Sequence, residues 1–96
     1  MITPHALVVA SRDQIACNLD GGTAILHLGS GTYYELNETG TFVWESLRHP
    51  ARVAELHAAL LRRYDVTPDQ CARDLWALLE AVAAEGLIEV SDGSAP

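Results

Sequence analysis

Ninety-six residues leave room for one domain and no second, and a chain of that length buries about 60% of its unfolded surface, enough to fold without staples. Thirteen acidic against six basic residues give a formal net charge of -7, which repels phosphate backbones and removes the attraction that dominates non-specific nucleic-acid binding. Two isolated cysteines, Cys17 and Cys71, read as reduced thiols. The opening MITPHALVVASR, with no basic lead and only a brief apolar run, supports neither a signal peptide nor a membrane span, so the expected location is the cytoplasm.

The first third carries short apolar runs, Leu7 to Ala10, Ile15 to Leu19 and Ala24 to Leu28, broken by Arg12-Asp13 and Asp20-Gly21-Gly22. These predict strands and turns. Gly29-Ser30-Gly31 supplies the freedom in φ that a tight reversal needs, so a hairpin follows, with its return strand at Tyr33 to Leu36. Side chains alternate along a strand, so Tyr34 and Leu36 share one face and Tyr33 and Glu35 the other. Leu36 marks the inner face and assigns Tyr34 to it.

Asn37 stands where a helix N-cap belongs, and Gly40, Val43, Trp44 and Leu47 follow at the spacing of one helical face, up to His49-Pro50. A second helix carries Val53, Leu56, His57, Leu60 and Tyr64 on one stripe, with Arg62 and Arg63 in its last turn, where cations suit the carbonyl end. The third is the best marked: Thr67 as cap, Pro68 at the first helical position and Gln70 completing a capping box. Two apolar stripes run along it, Cys71, Leu75, Leu78 and Val82 beside Ala72, Trp76, Leu79 and Ala83, until Gly86 stops it. That arc is wider than one buried face requires. Either the helix is deeply buried or it presents a second contact surface.

Leu87 to Val90 predicts a short last strand and Ser91 to Pro96 a polar tail. The order is α+β, a three-stranded antiparallel sheet followed by three helices, with helices two and three able to form a helix-turn-helix pair in a winged-helix-like domain. One domain covers residues 1–96, with its core at about 7–90.

Catalytic chemistry is not legible. His5, His27, His49 and His57 are scattered, with no motif joining them to a cysteine or serine, and no metal-ligand spacing occurs. The glycines at 29 and 31 separate two strands, so they do not form a phosphate-cradling loop. No cofactor is expected, and the chain reads as a binding module, not an enzyme. Tyr33, facing away from the inner residues, and Trp76 on the third helix either wall a groove or finish the core, and periodicity alone does not choose.

The run Gly31, Tyr33, Tyr34, Leu36, Asn37 and Gly40, followed by Val43-Trp44, resembles the PqqD-like family of RiPP recognition elements, small domains that bind the leader of a ribosomally made precursor peptide. Leu56, Leu60, Tyr64-Asp65-Val66, Asp74-Leu75, Leu78-Leu79 and Gly86-Leu87-Ile88 extend the resemblance over about residues 7–90. Within the family the chain is most similar to the stand-alone recognition proteins of lasso peptide biosynthesis, whose leader-cleaving peptidase is a separate chain. The resemblance implies that the leader adds as an antiparallel strand to the third strand of the sheet and lies against the third helix. Tyr33, Tyr34, Glu35 and Leu36, with Asp69, Ala72, Arg73, Trp76 and Leu79, would line that site. Trp76 and Leu79 would meet the ring and proline of a Tyr-x-x-Pro leader motif. Asp69 and Arg73 would pair with leader charges or only cap and solvate the helix. Implied partners are the leader, a separate leader peptidase and the macrocycle-forming enzyme, with no nucleic acid or membrane. Three alternatives remain open at this point: recognition of another modified peptide, as in the quinone-cofactor pathway with its radical enzyme, a winged-helix DNA reader, and a small enzyme, which a pH-dependent activity of the isolated chain would be needed to revive.

Overall fold

In the computed structural model, which describes residues 2–92, the apolar runs become β1 (Leu7–Ala10), β2 (Gln14–Leu19), β3 (Gly22–His27) and β4 (Tyr33–Leu36). They are followed by α1 (Glu38–Ser46), a short β5 (Ala51–Arg52), α2 (Val53–Arg63), α3 (Pro68–Ala84) and β6 (Ile88–Ser91). Of the polar tail expected from Ser91 to Pro96, Ser91 instead closes β6, and residues 93–96 lie outside the described residues.

The α+β arrangement holds, and the strands divide into two antiparallel sheets, β2-β3-β4 with β3 central and β5-β1-β6 with β1 central. The first is the expected three-stranded sheet. The second gathers strands from the two ends and the middle of the chain. Val8 sits opposite both Ala51 and Val90. β5 is too short to carry a sequence signal of its own.

Alternation decides which face of the first sheet is buried. Thr23 and Ile25 on β3 and Leu36 on β4 are buried, and Tyr34 is half-buried beside them. The hydroxyls of Thr23 and Thr41 lie 2.9 Å apart and tie this face to α1. A side chain at position 22 would run into the Leu36 carbonyl, so glycine lets the start of β3 sit against the end of β4. Asn37 follows at once and accepts the Gly40 N–H at 2.9 Å, so the chain leaves the sheet edge and enters α1 without a loop.

α3 starts as its sequence predicts. The Thr67 hydroxyl accepts the Gln70 N–H at 3.3 Å and Pro68 occupies the first turn. The Gln70 side chain does not return to the cap. It donates to Asp74 at 2.9 Å. At the other end Gly86 takes a φ of 73°, its N–H bonds to the Ala83 carbonyl, and the Leu87 N–H reaches the Val82 carbonyl, the paired bonds of a Schellman stop. Cys71, Leu75, Leu79 and Val82 are buried among Val43, Leu47, Leu56 and Leu60. The core stripe of α3 therefore runs diagonally across the two stripes read from its sequence.

The stop at Gly86 fixes where β6 begins and so the closure of the second sheet. Gly86→Ala forces a Cβ into the left-handed region and toward the His27 ring, 3.2 Å away. It should lower unfolding free energy by about 1–2 kcal/mol, measured by urea denaturation.

Candidate functional site

β4 is the outer strand of its sheet. Its main chain points alternately toward β3 and away from it, and the hairpin loop sets the phase. His27 N–H donates to the Thr32 carbonyl at 2.8 Å, so 27 and 32 are a bonded pair, and so, two residues on each time, are 25 with 34 and 23 with 36. The N–H and C=O groups of Tyr34 and Leu36 are therefore consumed by β3. Those of Tyr33 and Glu35 point outward, where no further strand lies among the described residues.

Beside that edge lies a cavity of about 370 Å³. β4 and the first turn of α1 form one wall, with Tyr34, Leu36 and Thr39, and α3 forms the other with Cys71, Asp74, Leu75 and Leu78. Leu60, Tyr64 and Val66, from the end of α2 and the turn that follows, close one end. The lining is mostly apolar, with Asp74 as its acid from α3; Glu35 borders it through the strand, while its carboxylate stands beside the Tyr33 phenol on the outer face. The Tyr64 hydroxyl is buried here with no hydrogen-bond partner among the described residues. Its ring packs edge-on against Phe42 at 6.1 Å, and the Arg63 guanidinium covers both rings at 5.1 and 5.7 Å. Burial, then the Asp74 carboxylate, pushes the Cys71 thiol above its usual range. The neutral thiol is the form the fold favours, so the stability gained from its burial is complete below the ordinary thiol pKa and is lost as pH rises through the raised one.

Of the residues the sequence nominated, Tyr34, Glu35 and Leu36 line this cavity. Tyr33 contributes its main chain to the edge, while its ring stands on the opposite, outer face and is 56% exposed. Partial desolvation, then the Glu35 carboxylate, raise its phenol pKa above the usual range. The α3 residues fall differently. Leu79 is fully buried in the core, and Asp69 and Arg73 are exposed, with Arg73 donating to the Gln70 side chain at 3.0 Å.

Trp76 and Ala72 are half-buried but do not line the cavity. The Trp76 indole N–H donates to the Ile2 carbonyl at 2.7 Å, and its ring meets His57 edge-on at 6.4 Å. It clasps the N-terminal segment, which also bonds Glu80 through the Ile2 N–H. One residue along a helix is a rotation of about 100°, enough to carry Trp76 from the groove to the other side. The groove face is the neighbouring set, Cys71, Asp74, Leu75 and Leu78. Leu75 and Leu78 belong to the stripe that the sequence reading set beside that of Trp76. The half-buried state of Leu78, beside the fully buried Leu79, separates groove from core.

A second hollow of about 480 Å³ lies under β2, lined by Gln14, Asn18, Thr23, Trp44, Glu45 and Arg48 among others. It is larger but polar, and offers little apolar surface to side chains of a bound strand. Among the described residues no group of three or more His, Cys, Asp or Glu side chains could hold a metal ion, and no helix is long and apolar enough to cross a membrane.

A free strand edge above an apolar groove, both held by one small α+β fold, defines a class of domain suited to receiving an extended peptide. The chain belongs to the PqqD family: the model for coenzyme PQQ synthesis protein D matches residues 22–88. Its fold is similar to that of TbiB1 in complex with the TbiA(beta) leader peptide. The TM-score is 0.77 at 31% sequence identity, over 92% of this chain and 99% of that one. It is also similar to a lasso peptide synthetase B1 complexed with the leader peptide, with a TM-score of 0.72 at 24% identity over 85% and 96% of the two chains. No curated protein sequence matches the chain.

Replacing Trp76 separates stability from the groove. Trp76→Ala removes the clasp on Ile2 and a half-buried indole. It should lower stability by about 2–3 kcal/mol, read from thermal or urea unfolding, while the environment of Leu78 stays unchanged by methyl NMR.

Proposed function

We propose that this protein captures the leader segment of a lasso-type ribosomal precursor peptide, by adding it as an antiparallel strand to β4, and presents it to a separate leader peptidase. The observation that carries this reading is the placement of the outward N–H and C=O groups of Tyr33 and Glu35 directly beside the apolar groove. Main-chain bonds to those groups are indifferent to leader sequence. Each contributes about 0.5–1.5 kcal/mol net. Alternate leader side chains then enter the groove against Leu36, Leu75 and Leu78, where each buried apolar side chain contributes about 1.5–3 kcal/mol before ordering losses. Together these support a micromolar or tighter complex, about 8 kcal/mol or more.

The kinship supports the same ligand class, since TbiB1 at 31% identity is complexed with a leader peptide. On this reading the chain is an adaptor and not an enzyme, and cleavage of the leader falls to the peptidase. The ring and proline of a Tyr-x-x-Pro motif would seat on the α3 wall at Leu75 and Leu78. Leu79 anchors α3 in the core and Trp76 clasps the N-terminal segment, Ala72 is half-buried beside them, Asp69 and Arg73 stay on the exposed face of the helix, and Asp74 favours a leader with a cationic residue near the groove.

Calorimetry with the leader of the chain's own precursor tests this. Leu78→Ala should weaken binding by roughly tenfold. Glu35→Pro deletes an outward N–H yet spares the β3 ladder, since proline is tolerated on a free edge, and should also weaken binding by roughly tenfold. Trp76→Ala, where folded, should leave affinity within about twofold. Unchanged affinity in both Leu78→Ala and Glu35→Pro would place the leader elsewhere.

A further inference from the structure

The sheet has a second free edge, β2, and its character differs from that of β4. β2 carries six residues, Gln14 to Leu19, with no charge and no proline, and all but Gln14 are exposed. Edge strands normally carry a charge, a proline or a bulge that blocks further pairing. β4 is shorter and carries Glu35. On β2 the large apolar side chains of Ile15 and Leu19, 58% and 45% exposed, lie on the outer face with Cys17 between them.

The ladder fixes which groups β2 offers. The Leu28 N–H donates to the Asp13 carbonyl at 3.0 Å, so 13 and 28 are a bonded pair, and 15, 17 and 19 are spent on β3 in the same phase. Gln14, Ala16 and Asn18 therefore point their N–H and C=O groups outward. Two copies of this strand can pair antiparallel only in registers that set one outward residue against another. The register with Ala16 opposite Ala16 does so along the whole strand. It also sets Gln14 against Asn18 and Ile15 against Cys17, each twice by symmetry, and brings Arg12, in the bend before the strand, near Asp20, in the turn after it. The small alanine lies on the axis, the amides face each other, the apolar groups pair, and the flanking charges are opposite. The neighbouring allowed registers, centred on Ile15 and on Cys17, set Arg12 toward Asn18 in the first and Gln14 toward Asp20 in the second, and both lose the ion pair.

We propose that β2 is a self-association edge, on which a second copy of this chain pairs about a two-fold axis at Ala16. The two β2-β3-β4 sheets then form one continuous sheet with a β4 edge at each end, so both grooves stay open. The interface is isologous and closes on itself. The net charge of -7 per copy opposes association, but beyond roughly 8 Å it is screened at physiological salt; at each end of the seam Arg12 of one copy lies nearest Asp20 of the other, and the Asp13 carboxylate is turned toward Gly29 of its own hairpin. The pairing does not rest on the leader reading, since the two edges lie on opposite sides of the sheet.

Sedimentation equilibrium of the full chain, with leader affinity measured in parallel, tests the proposal. The wild type should dimerise below roughly 100 μM. Ala16→Pro removes an outward N–H without breaking a bond to β3, and should give a monomer with native circular dichroism and unchanged leader affinity. Arg12→Glu should weaken dimerisation by about fivefold, and Arg12→Glu with Asp20→Arg should restore it. If Ala16→Pro fails to fold, the charge-reversal pair decides alone. A wild type monomeric at roughly 100 μM overturns the proposal. So does a dimer indifferent to these changes, or one that the double variant does not rescue. Loss of leader affinity in folded Ala16→Pro would assign β2 to the leader instead.

Discussion

The register between β3 and β4 is the constraint on which the rest depends. Ile25 opposite Tyr34 and Thr23 opposite Leu36 bury one face of the hairpin and, by the same alternation, turn the main chain of Tyr33 and Glu35 outward. A slip of one residue would bury Tyr33 and Glu35, expose Leu36 and rotate the free hydrogen-bonding groups onto the wrong residues. The register is held from several sides. Gly22 admits the Leu36 carbonyl, Thr23 reaches Thr41, and Asn37 caps α1 immediately after the strand. Because the strand passes straight into the helix, the pairing edge and the groove wall share one rigid corner.

The opposite wall is held just as firmly, by elements that contribute no surface to the groove. α3 is capped at Thr67, stopped at Gly86 and clasped through Trp76 to the N-terminal segment. The N-terminal strand in turn bonds β6 and β5, and so pins the end of α3 and the start of α2 to each other. A preorganised groove loses little entropy on receiving a peptide, so most of the ordering loss falls on the ligand. The fold thus spends its second sheet on orienting one helix.

Much of this was legible in the sequence where local chemistry decides it. Asn37, Thr67, Pro68 and Gly86 marked helix ends that the structure keeps, and the alternation through Tyr34 and Leu36 named the inner face correctly. What local pattern could not give was direction around α3. Leu75, Trp76, Leu78 and Leu79 are all apolar, and periodicity placed them on two adjoining stripes without saying which met the core, the groove or the N-terminal segment. Long-range partners decided that: the Ile2 carbonyl drew Trp76 to one side, and the apolar wall of β4 left Leu78 facing the other. Tyr64 and Val66 were visible only as the tail of α2, since the closure of the groove by that turn is a tertiary fact. β5, at two residues, carried no signal at all.

Strand addition makes a residue-by-residue statement about main-chain protons, and amide hydrogen exchange reads it directly. In the free protein the N–H groups of Tyr34 and Leu36 should be protected by β3 while those of Tyr33 and Glu35 exchange readily. Saturating leader should slow Tyr33 and Glu35 by roughly tenfold or more and leave the β2 amides of Ala16 and Asn18 unaltered. Leader binding with no new protection at Tyr33 and Glu35 would contradict the account.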